Sequence, residues 1–358
     1  MDVGLNAEQL SLRATVRDIL RTECPADAAR QALTDPERWR TLWKTVVGLG
    51  WTELAAPSAE GAGDYGPVEL AVVLEECGAA LAPIPLLSSV GLAAGALRGT
   101  GLDAALTDIA GGAVATLAVH SPGHRLPGPT MTLHDGRLRG RAVAVPNVSR
   151  AELIVTLARA GDGLVAAVAR CGDGVNMASV ECTDPAQPLA DVDIDTEPVA
   201  VAPVHSVESA LSAPLVAAAA DLVGVAGAAL HRSVEHAKTR RQFGTPIGAF
   251  QGIKHALADN YVGLERARSL TYAAAAQLGD PSADPAEVWT AAALAKAAAG
   301  DAAANAARTA VQVHGALGQT WEHDAHLYVR HAWQGAAMLG DSRSLYHEVG
   351  RRFCGGAA

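Results

Sequence analysis

Apolar residues recur at helical spacing through the first part of the chain, residues 1–110. The first helix is expected to begin at Asn6, because Asn6 followed by Gln9 has the spacing of a capping box. Apolar side chains three and four residues apart share one face of a helix, and that face packs on the core. This face is expected to carry Leu10, Leu12, Val16, Ile19 and Leu20.

Three further helices and one loop are predicted in the same region. WRTLWKTVVGLG is amphipathic and is expected to close at Gly48 and Gly50, because glycine favours helix ends. PVELAVVLEECGAALAP has Pro67 at its start and ends before Pro83, because proline fits the first turn of a helix better than its interior. PLLSSVGLAAGALRG is a further apolar helix, and the composition of residues 56–66 predicts a loop.

The pattern changes near residue 111, where short apolar or alternating runs replace the helical spacing. Asp-Gly pairs at 135–136, 162–163 and 173–174 separate these runs. Asp-Gly between strand-like runs is a hairpin signal. Residues 111–205 are therefore predicted to form a small antiparallel β domain.

Helical patterns return from about residue 206 and continue to the C-terminus. Three of them are long and a fourth begins near His323, which predicts an antiparallel four-helix bundle. The predicted fold class is α+β: an N-terminal helical domain, a middle antiparallel β domain and a C-terminal bundle. The predicted boundaries are 1–110, 111–205 and 206–358.

Charge and composition narrow the function classes. The formal net charge of −10 argues against nucleic acid or an anionic membrane as the main partner. The five cysteines form no CxxC pair, which favours free thiols in a reducing cytoplasm. The first residues contain no apolar signal-peptide core, and no run approaches the roughly 18 apolar residues of a membrane-spanning helix. A cytoplasmic protein is expected.

Two long motifs lie in the helical C-terminal part: RRQFGTPIGAFQGIKHALAD at 240–259 and AVQVHGALGQTWEHDAHLYVRHA at 310–332. A third passage, GLGWTELAAPSAEGAGDYGPVELAVVLEECGAALAPIPLL at 48–87, precedes them. With these motifs in this order, nearly the whole chain resembles the acyl-CoA dehydrogenase family. The resemblance implies the same order of domains and a flavoenzyme that acts on acyl-CoA thioesters. Its FAD accepts a hydride from the β carbon while a carboxylate takes the α proton.

In this family each FAD lies across a dimer interface. One subunit holds the isoalloxazine between its β domain and its bundle, and the neighbour holds the adenosine and pyrophosphate through the two long motifs. Carried over residue by residue, the resemblance implies a cofactor-binding set of Arg240, Gln242, Phe243, Phe250, Gln251, Gln312 and Gly315.

The chemistry of these residues suits that role, because an arginine such as Arg240 can make paired, charge-assisted hydrogen bonds to a pyrophosphate. The residues alone equally allow a helix–turn–helix junction with solvated arginines and a core phenylalanine. Ala316 stands where the family has a second glycine, and its methyl group is either tolerated or presses on the dinucleotide. His314 is expected to be a packing or surface residue.

The catalytic base that the family requires is missing. Counting on from Gly315, the usual glutamate position falls on Leu339. The alternative position, counted back from Phe243, falls on Pro214 and Leu215. None of these side chains takes a proton. Candidate substitutes, each expected to be a solvated helix residue, are Asp341, Glu348 and Asp221.

The β domain also departs from the family's pattern. The segment His120 to His124 lacks the family's Thr-Glu pair and its Gly-Ser. Val143 stands where a tryptophan packs on the flavin, and Pro146 removes a backbone donor. The isoalloxazine site of this subunit is therefore expected to be degraded.

Three functional hypotheses remain open. The first is a non-catalytic subunit that lends its FAD-binding motifs to a paralogous catalytic partner. The α2β2 acyl-CoA dehydrogenases of actinobacterial steroid side-chain breakdown resemble this arrangement. The second is a self-sufficient homo-oligomer with altered chemistry, either a divergent dehydrogenase or a relative similar to flavin monooxygenases. The third is an assembly protein without flavin. An acyl-CoA is the expected substrate class, and an electron-transfer flavoprotein is a candidate partner.

Two other groups of polar residues are given a structural role. A metal site is not expected, although several side chains of the second motif are potential ligands, because the family pattern explains Glu322, His323 and Tyr328 as bundle and loop residues. The potential ligands are Glu322, His323, Asp324, His326 and His331.

Lys296 and Asp301 lie in an alanine-rich stretch and are expected to be solvated or interfacial.

Overall fold

The computed structural model describes residues 4–25, 27–32, 34–55, 66–184 and 186–355. The predicted loop at 56–66 lies outside the described residues, apart from Gly66. A π-helical segment, Leu87–Ala94, replaces part of the predicted apolar helix in this region. The α-helices of the N-terminal region are α1 (Ala7–Glu23), α2 (Ala28–Gln31), α3 (Trp39–Gly48), α4 (Pro67–Ala80), α5 (Gly95–Leu97) and α6 (Asp103–Ala110).

Helix α1 confirms the predicted start and most of the predicted apolar face. Asn6 and Gln9 form a reciprocal capping box. Val16 and Leu20 are buried in the core, but Leu10 is 44% exposed. Leu10 lies about 120° around the helix axis from Val16, on a more exposed side, so its prediction as part of the apolar face is wrong.

The middle region is one eight-stranded sheet in which the strands follow the order β6-β7-β3-β2-β4-β5-β8, with β1 beside β4. The sheet is mixed, because β1 and β2 both run parallel to β4. β1 pairs with the first half of β4 and β2 pairs with the second half, and both run in the direction of β4. The prediction of a purely antiparallel sheet is therefore wrong. The strands are β1 (Ala115–Ala118), β2 (Met131–His134), β3 (Arg137–Pro146), β4 (Leu153–Ala160), β5 (Gly163–Arg170), β6 (Val175–Ser179), β7 (Leu189–Thr196) and β8 (Ala200–Pro203).

Two of the three predicted hairpins are confirmed. The turn at 135–136 joins β2 to β3, and the turn that joins β4 to β5 lies at 161–162, one residue before the Asp-Gly pair. The third prediction is wrong, because β6 pairs with β7 rather than with β5. The chain leaves β5 at this point, and the carbonyl of Gly174 accepts the Asp195 N–H at 2.7 Å. The Asp-Gly signal marks the bend correctly, but the partner strand is distant in sequence.

The C-terminal region is helical, and the predicted order of helical, β and helical parts is confirmed. The alanine-rich stretch of α9 is mostly buried within the chain itself. Helix α7 is long and apolar enough to cross a membrane, but 83% of its apolar window is buried inside the bundle. The fourth predicted helix is followed, after a break, by a further one. These helices are α7 (Val207–Thr239), α8 (Gln251–Gly279), α9 (Pro285–His314), α10 (Ala325–Ala337) and α11 (Ser342–Gly355).

The N-terminal helices join the bundle through a close backbone contact between α4 and α7. A Cβ added at Gly224 would lie 1.8 Å from the Glu75 carbonyl oxygen, and one added at Gly78 would lie 2.1 Å from the Asp221 carbonyl oxygen. Only glycine fits at these two positions. The side chain of Glu75 adds a link to α8, where its carboxylate accepts hydrogen bonds from Arg268 and Tyr272.

Gly224→Ala is therefore expected to destabilise the protein by about 1–3 kcal/mol or more, because the methyl group forces α4 and α7 apart. Gly263→Ala in α8 is the matched control. Its Cβ would meet nothing within 4 Å, so helix propensity should raise stability by up to about 1 kcal/mol. Urea unfolding of both variants measures the difference. Equal stability of the two variants would show that the contact is not tight.

Candidate functional site

The first long motif forms a small β-hairpin at the end of α7. Strands β9 (Arg241–Gln242) and β10 (Thr245–Pro246) pair antiparallel, with Gln242 opposite Thr245. Phe243 and Gly244 form the turn, with φ of 52° and 78°. Positive φ at both central residues is the geometry of a tight type I′ turn. A bulky residue rarely adopts this conformation, so Phe243 is held in a strained backbone.

Phe243 projects from the molecule with 93% of its surface exposed. Phe250, 39% exposed, lies edge-to-face with it at 6.2 Å between ring centroids. Two adjacent aromatic rings on a protruding turn form an apolar surface without a partner in this chain. Aromatic surface in this setting is typical of a binding site.

Free hydrogen-bond donors flank the two rings. Arg240 caps the end of α7 through its backbone, and its guanidinium makes no hydrogen bond or ion pair to any described residue. Helix α8 begins at Gln251 with Phe250 as its N-cap, and no side chain caps its first turn. Free N–H groups and the helix dipole at such a terminus favour an anion.

The second long motif meets the hairpin in space. Val313, Ala237 and Ile247 form a small buried cluster that joins the ends of α9, α7 and the hairpin. Gly315 closes α9 with φ 61° and ψ −139°, a conformation suited to glycine, and the space beside it is open. Residues 240–251 together with 312–315 form one surface, which we call the clamp. All seven predicted cofactor-binding residues lie on it.

Three histidines, of which His314 belongs to the clamp, form a tilted stack of rings. The rings of His236 and His314 are 4.3 Å apart, and those of His314 and His323 are 4.4 Å apart. Burial, with positive neighbours, lowers the pKa of His236 and His323. His314 contacts the carbonyl of Ala310 through Nδ1 at 2.7 Å. The predicted packing role of His314 agrees with this stack.

A cavity of about 390 Å³ lies between the sheet and the bundle. Several residues in its wall are those at which the sequence departs from the family's pattern, although they are far apart along the chain. Pro214, at the alternative base position, is instead buried within α7. The departing residues in the wall are His120, His124, Val143, Pro146 and Leu339.

Backbone contacts fix the loop that carries Leu339, the residue at the family's usual base position. It is 2% exposed and has φ 58°, and its N–H donates to His120 Nε2 at 3.0 Å. Burial, and then Lys296, lowers the pKa of His120 to about 4, so its ring is neutral. Lys296 is fully buried, and its Nζ donates to the carbonyls of Ala336 and Gly340. The prediction that Lys296 is solvated is wrong, because it fastens this loop to α9.

A buried ion cluster lies in the wall of the cavity. His331 Nδ1 lies 2.7 Å from Asp184 Oδ2, and His331 Nε2 lies 2.7 Å from Asp221 Oδ2. Although burial opposes the charge, the two carboxylates raise the pKa of His331 well above its usual value. The cluster links the β region to α7 and α10. Asp221 is therefore not the solvated helix residue that the sequence predicts, because it is 3% exposed.

The other candidate bases lie away from the cavity wall. Asp341 accepts the Ser344 N–H at 2.7 Å in the first turn of α11 and contacts Arg125. Glu348 pairs with Arg351 and Arg352 on its own helix. Asp221 is the one candidate in the cavity wall, and its Oδ2 is already engaged by His331.

The potential metal ligands are used in other ways. Asp324 pairs with Arg30 and Arg232, and His326 stacks on Trp321. Among the described residues, no group of three histidine, cysteine or acidic side chains has the arrangement of a metal site. All five cysteines, each of them within the described part of the chain, are free thiols.

Comparison with family models identifies two domains. The model described as "Acyl-CoA dehydrogenase, N-terminal domain" matches residues 6–105, and "Acyl-CoA dehydrogenase, C-terminal domain" matches residues 205–353. Among individual proteins, the chain is 31% identical to acyl-CoA dehydrogenase IpdE2 of Mycobacterium tuberculosis over 349 residues, which cover 96% of each chain.

Two solved structures are similar over almost their full length. A variant of the Tcur3481-Tcur3483 steroid ACAD has a TM-score of 0.88 at 27% identity, covering 98% of both chains. The ChsE4-ChsE5 complex from Mycobacterium tuberculosis has a TM-score of 0.86 at 26% identity, covering 99% of both chains. The predicted fold class is confirmed.

His331→Leu is expected to lower the free energy of unfolding by about 3–5 kcal/mol, because it leaves two buried carboxylates unpaired. The uncharged triple variant Asp184→Asn, His331→Leu, Asp221→Asn should recover much of this loss. The raised pKa means that the cluster's contribution is complete below about pH 6.5 and is lost as pH rises through the higher folded-state value.

Denaturant unfolding from pH 6 to 10 tests both expectations. Stability should fall more steeply towards alkaline pH in the wild type than in the triple variant. His326→Leu is the control for loss of a histidine, with an expected change within about 0.5 kcal/mol. A His331→Leu protein as stable as this control would contradict the importance of the cluster.

Proposed function

The chain belongs to the acyl-CoA dehydrogenase family, and we propose that it acts in that family's reaction as a non-catalytic subunit. The reaction desaturates an acyl-CoA thioester; a carboxylate takes the α proton, and a bound FAD would supply the acceptor for the hydride of the β carbon. In this proposal the clamp holds the adenosine and pyrophosphate end of an FAD whose flavin ring and base belong to a paralogous catalytic chain. The observation that carries the proposal is that the seven clamp residues are retained while both base positions, Leu339 and Pro214, lack a carboxylate.

The clamp fits the adenosine diphosphate part of FAD. The unpaired guanidinium of Arg240 and the uncapped start of α8 are both donors suited to a pyrophosphate. Gln242, Gln251 and Gln312 are exposed amides for further polar contacts. The open backbone at Gly315 allows the dinucleotide to approach closely.

The cavity of this chain fits the flavin ring less well than the clamp fits the adenosine diphosphate part. Asp184, Asp221 and Glu181 place carboxylates in its wall, and a reduced flavin carries negative charge. His120 Nε2 already accepts the Leu339 N–H, so it is not free for a flavin. No step of the reaction is therefore assigned to this cavity.

The role of this chain is binding and shielding. Arg240 and the first turn of α8 would neutralise the pyrophosphate and so fix the position of the cofactor. Phe243 and Phe250 would cover apolar parts of the dinucleotide and exclude water from the interface. The rigid cluster of Ala237, Ile247 and Val313 keeps both halves of the clamp in register.

The comparisons support a heteromeric assembly and a steroid substrate. Both solved structures are named for two components, and one of them is a steroid ACAD. The substrate class proposed for the complex is accordingly the CoA thioester of a steroid or its side chain. The likeness extends over nearly the whole chain, so the assembly of those proteins is a suitable model for this one.

The first test is co-expression with a paralogous acyl-CoA dehydrogenase chain that carries the catalytic glutamate. The chain alone is expected to purify with little FAD, and the complex is expected to be yellow, with fewer FAD molecules than subunits. Absorbance at the flavin band and mass measurement of the intact complex give both numbers. Stoichiometric FAD in the chain alone would favour the self-sufficient homo-oligomer instead.

The second test compares neighbouring arginines in the complex. Arg240→Gln should weaken FAD binding about 10- to 100-fold, because it removes charge-assisted hydrogen bonds to the pyrophosphate. Arg241→Gln is the matched control, since it removes the same charge from the same hairpin, where the side chain only reaches the Gly244 carbonyl. Equal FAD affinity in the two variants would contradict the assignment of Arg240.

A further inference from the structure

The cavity between the sheet and the bundle has the size and the lining of a site for a small ligand. We propose that it binds an uncharged, largely apolar small molecule with a carbonyl or hydroxyl group, which is held there without being transformed. The inference rests on the proposed function in one respect only, which is that the flavin ring lies in the partner chain.

The walls set the apolar character of the ligand. Leu117 and Val119 from β1 and the loop after it face Leu92 of the π-helical segment and Leu339 of the loop between α10 and α11. A cavity of about 390 Å³ is large enough for a small ligand. Apolar surface of this kind gains free energy when a ligand displaces water from it.

A buried amide supplies the polar contact. Gln187 is 6% exposed and lines the cavity, yet its side-chain amide makes no hydrogen bond to any described residue. An unpartnered amide in a cavity wall can donate to a ligand carbonyl or accept from a ligand hydroxyl, and such a neutral hydrogen bond strengthens binding about 3- to 10-fold. The neighbouring Gln334 is already used, because it bonds the Gln187 carbonyl and the Asp184 N–H.

The charges in the wall select against anions. Asp184, Asp221 and Glu181 are carboxylates, and His331 is the one side chain among the described lining residues that carries a stable positive charge. Lys296 lies behind the loop, where its Nζ is bonded to two carbonyls. A carboxylate or phosphate ligand would meet net negative charge in a poorly solvated site, which costs free energy.

No covalent step is assigned to this ligand. Asp221 is engaged by His331, and the usual base position holds Leu339. The bound molecule instead bridges the β region and the bundle from inside. It is therefore expected to stabilise the packing of these two parts when it binds.

Prodan, an uncharged naphthyl ketone whose fluorescence reports polarity, is a suitable probe. The purified full-length chain is expected to bind one prodan with a blue-shifted emission. The anionic dye 1-anilinonaphthalene-8-sulfonate should bind at least about 10-fold more weakly, because of the carboxylates in the wall. Equal binding of the two dyes, or no saturable prodan binding by the folded chain, would overturn the proposal.

Two variants locate the site. Gln187→Leu removes the amide at similar size and should weaken prodan about 3- to 10-fold, the effect of one neutral hydrogen bond. Val143→Phe fills the cavity from its partly exposed rim and should abolish binding. Gln319→Leu, which removes an exposed amide elsewhere, should bind as the wild type does. Thermal unfolding confirms that each variant is folded, and unchanged prodan binding in Gln187→Leu and Val143→Phe would overturn the assignment.

The FAD content of the co-expressed complex separates this inference from the proposed function. Val143→Phe is expected to leave FAD bound, because the flavin lies elsewhere. Loss of FAD together with loss of prodan in that variant would identify the cavity as a flavin site and overturn the inference. If Arg240→Gln leaves FAD binding unchanged while prodan still binds, the proposed role of the clamp is contradicted and the ligand site in the cavity is not.

Discussion

The close approach of α4 and α7 is the constraint on which the interior of this protein depends. Backbone meets backbone at Gly78 and Gly224, so neither helix can shift along the other without a clash. Asp221 lies at this contact, and its carbonyl faces Gly78 while its carboxylate faces His331. Tyr328 of α10 donates to the Ala79 carbonyl at 2.9 Å and ties a third helix to the same place. The position of the ion cluster, and with it the wall of the cavity, follows from this contact.

The clamp depends on a different kind of rigidity. Its residues lie at the ends of three long helices, and a cluster of only three buried apolar residues holds those ends together. The strained turn at Phe243 persists because the flanking strands and the bond from the Ile247 N–H to the Arg240 carbonyl fix it, so the backbone of the clamp is already shaped. A surface arranged in advance loses less entropy on binding. The clamp and the cavity are thus separately supported, and one can change without the other.

Local sequence signals were enough to predict much of the fold. The capping box at Asn6, the proline at the start of α4 and the turns at 135–136 and 161–162 depend on neighbouring residues, and these predictions are confirmed. The long motifs were enough to predict the family. The failures involve distant partners: Asp221 and Lys296 look like solvated helix residues because their contacts come from elsewhere in the chain. Gln187, with no motif around it, gave no signal at all.

The loop that carries Leu339 has a further consequence for how this chain can diverge from its relatives. Its shape is maintained by contacts to backbone atoms: His120 accepts the Leu339 N–H, and Lys296 bonds the carbonyls of Ala336 and Gly340. None of these contacts involves the side chain at 339. Evolution can therefore replace a reactive residue there while the loop is inherited intact. A change of side chain at this position is thus a single substitution that leaves the backbone contacts of the loop as they are.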